Sequence, residues 1–397
     1  MLHSENTSKT PLSLKSEANF IRFLGLSLLI VFSILFCLIW PFWQVLQWFM
    51  QAVILWLLAT NIILSKHLDL NRDSQQQASY PDLGWANRLT LFRGFLIAFT
   101  AGFAFLLDLS EKILLIPALS YLVAAIIDRI DGYIARITKH ESLLGIKLDI
   151  EFDALGLLIA PLLAVWTGQI HWSYLSVSVA YYLFQGGLYW RNKQHKPIYQ
   201  LPLNMSRRAV AGFQMGFLAV VLWPILAPPA TTVAGFAFML PLLGGFLIDW
   251  FIVSGRINLN KPPVSSFFKL ADKATQQFIL PFFRVCIFCF LFLLLIKTNA
   301  HSSLSSLINE ITLPRAILLI SLLFSALMVL LGILGRFFAI ILSCLLCWLF
   351  LSYQMQSIDA ILLTLVIWVM QFGTGKFSIW LWDDLWVHRY DGRCNDG

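Results

Sequence analysis

The chain is a succession of long apolar runs separated by short polar stretches, and the runs are continuous rather than alternating. A membrane-spanning helix needs about 20 mainly apolar residues. Runs of that length recur from residue 21 almost to the end, and we place twelve spans at 21–40, 43–65, 89–108, 112–134, 147–168, 171–190, 208–227, 231–254, 277–297, 314–335, 337–353 and 358–373. Lipid leaves no water to satisfy backbone polar groups, so only helices or closed barrels cross it. Barrel strands alternate apolar and polar residues; these runs do not. The pattern predicts an all-α, polytopic helical membrane protein.

Composition agrees. The chain is 59% hydrophobic and 12% charged, with a mean hydropathy of +0.77, whereas soluble domains carry about one-quarter charged residues. A net charge of +7 invites a nucleic-acid reading, but the distribution argues for the lipid bilayer as the partner and against nucleic acid. With the N-terminus in the cytoplasm, Lys112, Lys297 and Arg315 fall outside and Arg284 lies within a span, while the rest of the 28 basic residues lie at or near the cytoplasmic face. That asymmetry follows the positive-inside rule. Residues 1–20 are polar, and the first apolar run is a full span without a small-residue cleavage site, so no cleaved signal peptide is expected. Two CxxC pairs, Cys286/Cys289 and Cys344/Cys347, lie inside apolar runs without neighbouring histidines. Cysteine so placed acts as a small hydrophobe.

The polar residues that interrupt this pattern most tellingly run from Asp128 to Asp153, DRIDGYIARITKHESLLGIKLDIEFD. Residues three and four apart share a helix face. Asp128 and Asp131 therefore point together, followed by Gly132 and Arg136. Asp149 and Asp153 stack one turn apart on a second helix, with Gly145 one turn before them. Glu151 falls about 200° from Asp149 and faces elsewhere. Four carboxylates converging at the ends of two membrane helices repel one another and lose hydration. Intramembrane carboxylates mark function by default, and a divalent metal held by hard oxygen ligands relieves the repulsion.

The spacing D-x2-D-G-x2-A-R-x8-G-x3-D-x3-D resembles the signature of the CDP-alcohol phosphotransferases, integral membrane enzymes of phospholipid synthesis. The resemblance covers residues 81–256 and implies a six-helix core. In that division, residues 1–80 form an N-terminal tail, two spans and a linker, and residues 257–397 form a C-terminal membrane domain of about four spans. The loop 255–276, with Pro262 and Pro263, reads as the boundary. The resemblance further implies that Asp128, Asp131, Asp149 and Asp153 bind two Mg2+ (or Mn2+) ions and that Asp153 is also the general base. It places Asn87, Thr90 and Arg93 of PDLGWANRLTLFRGF, together with Gly132, Ala135, Arg136 and Gly145, against the CDP moiety. Arg88 lies off the Asn87–Arg93 face and reads as a flank anchor.

The activity implied is metal-dependent transfer of a phosphatidyl group from CDP-diacylglycerol to a polar alcohol or alcohol phosphate, with release of CMP. The basic stretch Ser206–Met215 is similar to a segment ending in Gln-Met in bacterial phosphatidylglycerophosphate synthases. This makes Arg208, then Arg207 and Arg191, candidate acceptor-binding residues and glycerol 3-phosphate a candidate acceptor. Arginine suits bidentate phosphate binding; an ordinary positive-inside cluster is the alternative. An unphosphorylated acceptor or a CDP-choline or CDP-ethanolamine donor also stays open, as does a homodimer. The expected location is a bacterial inner membrane with the site facing the cytoplasm. Outside the enzyme class, twelve spans invite a transporter or scaffold, but transporters place their polar groups near the midplane and these carboxylates sit at span ends. Near the C-terminus, FGTGKFSIWLWDD is weakly similar to the Gly-x-Gly-x-x-Ser close of DoxX-like membrane proteins.

Overall fold

The computed structural model describes residues 11–73, 79–201, 205–258, 262–296, 313–352, 355–380 and 382. Among them the chain is helical, with no strand beyond an isolated bridge between Ile333 and Trp380. The helices that concern the argument are α1 (Leu12–Phe36), α2 (Phe42–Leu57), α3 (Gly84–Ala101), α4 (Glu111–Ile137), α5 (Leu143–Trp166), α6 (Leu175–Lys193), α7 (Met205–Val221), α8 (Ala230–Val253), α9 (Pro262–Ala274), α10 (Leu280–Ile296), α11 (Leu313–Leu331), α12 (Gly335–Ser352) and α13 (Ser357–Phe372). Five helical stretches among the described residues are long and apolar enough to cross a membrane: Leu12–Phe36, Phe42–Leu70, Glu111–Ile137, Ala230–Val253 and Val264–Leu293. Shorter apolar helices cover Ala209–Val221, Ala316–Leu331, Gly335–Leu351 and Ser357–Phe372. The protein is a polytopic helical membrane protein.

Packing divides the chain into two compact units, Met1–Thr167 with Leu218–Pro224, and Gly168–Phe217 with Ile225–Gly397. In the first, α1 packs on α2, α2 on α3, and α3 on both α4 and α5. One apolar cluster joins Leu14 and Ala18 of α1, Ile63 and Leu64 beyond α2, Leu91 of α3, and Leu144, Leu148 and Phe152 of α5. Close approach depends on missing side chains. A Cβ on Gly94 would lie 2.6 Å from the Phe152 ring, and one on Gly25 would lie 2.4 Å from Trp56. In the second unit, α8 packs on α6 and α13, α10 on α11 and α13, and α12 on α11 and α13.

Three sequence expectations shift. The first helix starts at Leu12, not residue 21, because Leu14 and Ala18 are buried in the core and Glu17 bonds the start of α3. The third ends at Ala101, short of 108, where amides 102–104 turn to carbonyls three residues back. The expected loop 255–276 is helical from Pro262. Proline at a first helical turn sacrifices an N–H that has no intrahelical partner anyway, so the two prolines open a helix there.

Candidate active site

Three helix ends build the site, all within the first unit. The turn Thr138–Ser142 lies between α4 and α5, and the Ser142 hydroxyl caps α5 by accepting the Gly145 N–H at 3.0 Å. Ser142 is tied to α3 as well, since Asn87 Nδ2 donates to its Oγ at 3.0 Å and to Asn71 Oδ1 at 3.3 Å. Asn71 in turn donates to the Asp82 carbonyl at 2.7 Å. Gly145 has a specific reason to be glycine: a Cβ there would stand 2.6 Å from Asn87 Oδ1. The close approach that Gly145 permits is therefore to a neighbouring helix's amide.

One face of α3 carries the rest. Thr90 Oγ1 donates to Asp131 Oδ2 at 2.8 Å, while Asp131 Oδ1 accepts the Gly132 N–H at 2.7 Å. One turn further, Arg93 is 1% exposed and reaches three carboxylates. It bonds Asp128 directly, stands 3.1 Å from Asp149 Oδ1 and 3.2 Å from Asp153 Oδ1, and donates to the Asp149 carbonyl at 3.0 Å. The family resemblance places Arg93 against the CDP moiety. In the structure it sits buried among three carboxylates.

Asp128, Asp149 and Asp153 each offer an oxygen within 4.8 Å of the others'. Asp131 is turned to Thr90 and is not in that trio. Three carboxylates around one guanidinium leave an excess of negative charge. Asp153 Oδ1, although near Arg93, is buried without a hydrogen-bond partner. An all-oxygen, anionic donor set with more negative charge than its one arginine offsets fits a hard divalent cation. Asp128, Asp149 and Asp153 are the residues that would hold it.

The other predicted residues fall around this centre. Gly132 leaves an opening, with only Arg136 Nη1, at 3.7 Å, near where its Cβ would be; Arg136 itself is exposed and Ala135 half-buried. Glu151 pairs with Lys147 at 2.8 Å, away from the site, which accounts for an otherwise unexpected acid in α5. Arg191 belongs to the second unit and donates to the carbonyls of Pro197 at 2.7 Å and Ser254 at 3.3 Å. The side chains of Arg207 and Arg208 lie outside the described residues.

Sequence reasoning missed several contributors. Arg88 pairs with Glu17 of α1 at 2.7 Å, and the other Glu17 oxygen accepts the Leu83 N–H at 2.9 Å. His140 stacks on Tyr80 with ring centroids 4.0 Å apart, against Gly84, whose φ of +73° favours glycine. Tyr121 lies beneath the site, buried, with its hydroxyl 3.4 Å from where a Gly156 Cβ would be. Only Ser142 carried a legible signal, a serine directly before an apolar helical run.

Residues 83–250 match the model of the CDP-alcohol phosphatidyltransferase family, a range from the N-cap of α3 to near the end of α8 that takes in every carboxylate of the site. No curated protein and no solved structure matches the chain. The family is typically divalent-metal dependent, in keeping with the aspartate trio. Residues 83–250 are a CDP-alcohol phosphatidyltransferase domain, and the family to which this domain belongs is one of transferases of substituted phosphate groups.

Proposed function

We propose that the chain transfers the phosphatidyl group of CDP-diacylglycerol to a polar alcohol, with glycerol 3-phosphate as first candidate, and releases CMP. The observation that carries this reading is the trio of carboxylate oxygens within 4.8 Å of one another inside the matched domain. In this reading Asp128, Asp131, Asp149 and Asp153 bind two Mg2+ or Mn2+ ions, with Asp131 turning from Thr90 to join the trio. Bound divalent metal supplies charge neutralisation for the diphosphate and for the oxygens in flight. Asp153 takes the proton of the acceptor hydroxyl as general base. Arg93 holds the carboxylates in register. Asn87 and Thr90 line the donor side with Gly132, Ala135, Arg136 and Gly145, and Arg136 meets phosphate at the opening beside Gly132.

Arg208, with Arg207 and Arg191, takes the acceptor phosphate. Residues 1–80, 81–256 and 257–397 act as N-terminal, catalytic and C-terminal parts in a bacterial inner membrane, and the site opens to the cytoplasm. The test is CMP release from CDP-diacylglycerol over a panel of alcohols and alcohol phosphates, with and without chelator. CMP release that depends on one acceptor and stops in chelator is expected. Release from CDP-choline or CDP-ethanolamine instead would reassign the donor, and full activity in excess chelator would remove the metal.

A further inference from the structure

Outside the matched domain, α9 leaves an apolar helix face uncovered. Val264, Phe267, Phe268, Leu270, Ala271 and Ala274 fall within roughly 160° of its circumference, and Lys269, Asp272 and Lys273 take the other side. Phe267 and Leu270 are 65% and 66% exposed, and Lys269 and Lys273 are exposed too. The helix does not stop at Ala274. A π turn, Thr275–Ile279, joins it to α10, making one helical run from Pro262 to Ile296. At 1.5 Å per residue this run is about 50 Å long, against a hydrocarbon core of about 30 Å. Its amphipathic end lies beyond what is needed to cross.

The junction has a fixed level. Pro281 has no N–H to offer the Gln276 carbonyl five residues back, and the Lys376 amide takes that carbonyl instead, at 2.8 Å. One turn on, Arg284 donates to the carbonyls of Thr374 at 3.0 Å and Lys376 at 3.3 Å and to Ser378 Oγ at 3.2 Å. The Gly-rich segment thus clamps the place where α9 becomes α10. It exposes Lys376 beside Phe377 (75%) and Trp380 (54%), and Phe278 of the π turn is 71% exposed. Aromatic and basic side chains gather at the membrane–water boundary, and π turns and prolines are where helices bend.

We infer that α9 is an interfacial helix seated on anionic lipid. Phe267 and Leu270 press among the acyl chains of one leaflet, and Lys269 and Lys273 reach headgroup phosphates. Asp272 lies on the same polar side and leaves that edge net positive. This inference requires only that the chain spans a membrane and is independent of the reaction proposed above.

The test uses the full chain with its native cysteines changed to alanine and a nitroxide at Phe267→Cys or Lys269→Cys. The protein is placed in nanodiscs of phosphatidylcholine alone or with phosphatidylglycerol. In anionic discs the label at 267 should collide with oxygen and be shielded from a water-soluble nickel complex, while that at 269 reads headgroup depth. A lysine near an anionic surface contributes about 1 kcal/mol, so losing each in Lys269→Gln and Lys273→Gln lowers the seated-to-lifted ratio about fivefold. Nickel access at 267 in anionic discs overturns the proposal. Shielding of 267 from both reagents overturns it too, by showing a protein surface or a second copy over the face. Equal depth in both disc types and in the double Gln variant overturns the anionic assignment. The native chain gives a label-free check: amide exchange over residues 264–274 should be slower in anionic discs, and an equal rate in both counts against it.

Discussion

Arg93 in α3 and Arg284 in α10 are 1% and 3% exposed, and their surroundings differ in kind. Arg284 donates to the carbonyls of Val329 at 2.9 Å, Leu330, Thr374 and Lys376, and to the Ser378 hydroxyl. These are fixed dipoles at a helix end and in a glycine-rich turn, and they spread one positive charge over many neutral acceptors. Arg93 instead faces Asp128, Asp149 and Asp153, carboxylates whose summed charge exceeds its own. A buried cation ringed by carbonyls locks backbone segments together. One outnumbered by carboxylates holds together a centre that still attracts positive charge.

The comparison is broken most sharply at the carboxylates. Asp128→Asn, Asp131→Asn and Asp149→Asn should each abolish CMP release while thermal unfolding in detergent stays close to the parent's, because Asp128 and Asp149 belong to an over-negative cluster and Asp131, turned to Thr90, keeps a hydrogen-bonding side chain as Asn. A variant that unfolds instead would make the cluster structural, like Arg284. Asp153→Asn should keep metal and CDP-lipid binding and lose turnover by about 10²–10⁴-fold, the worth of a general base. Normal turnover at saturation with lost donor binding would leave Asp153 a ligand only.

Arg284→Met should do the reverse. Leaving buried carbonyls without their donor costs about 1–3 kcal/mol, read as a lower unfolding temperature, with CMP release per folded molecule unchanged. Next in size, Arg208→Ala should raise the acceptor's Michaelis constant about tenfold to a hundredfold, the value of a charge-assisted bond, with Arg207→Ala doing much less. Equal small effects from both would return them to topology anchors. The smallest effect is expected at Glu17→Gln. Its pair with Arg88 is partly exposed, so a loss of about 0.5–1 kcal/mol in stability is expected.

The fold class was legible because span-length apolar runs have few physical outcomes, and the meeting of two carboxylate pairs because helix-face arithmetic puts each pair on one side of its helix. Asp128, Asp149 and Asp153 were legible for the same reason. Arg93 was visible as one of the α3 polar face, yet its partners were not, since spacing within one helix says nothing of which side chain a neighbour turns toward it. Asn71 and Tyr80 were hidden in a polar stretch that composition marks only as a linker. The start of α1 was hidden because Leu14 and Glu17 flank an otherwise polar tail. The helical character of 262–276 was hidden because paired prolines read as a break when they are a beginning.

The shared apolar cluster of the first unit bears on how such an enzyme can be divided or recombined. Leu14, Ala18, Ile63 and Leu64 lie before the matched domain, yet they fill the same interior as Leu144, Leu148 and Phe152 on the helix that carries Asp149 and Asp153. A chain cut before Pro81 would therefore expose the back of the helix that carries Asp149 and Asp153. Grafting the domain onto another membrane anchor would call for a new inner lining as well as the signature aspartates.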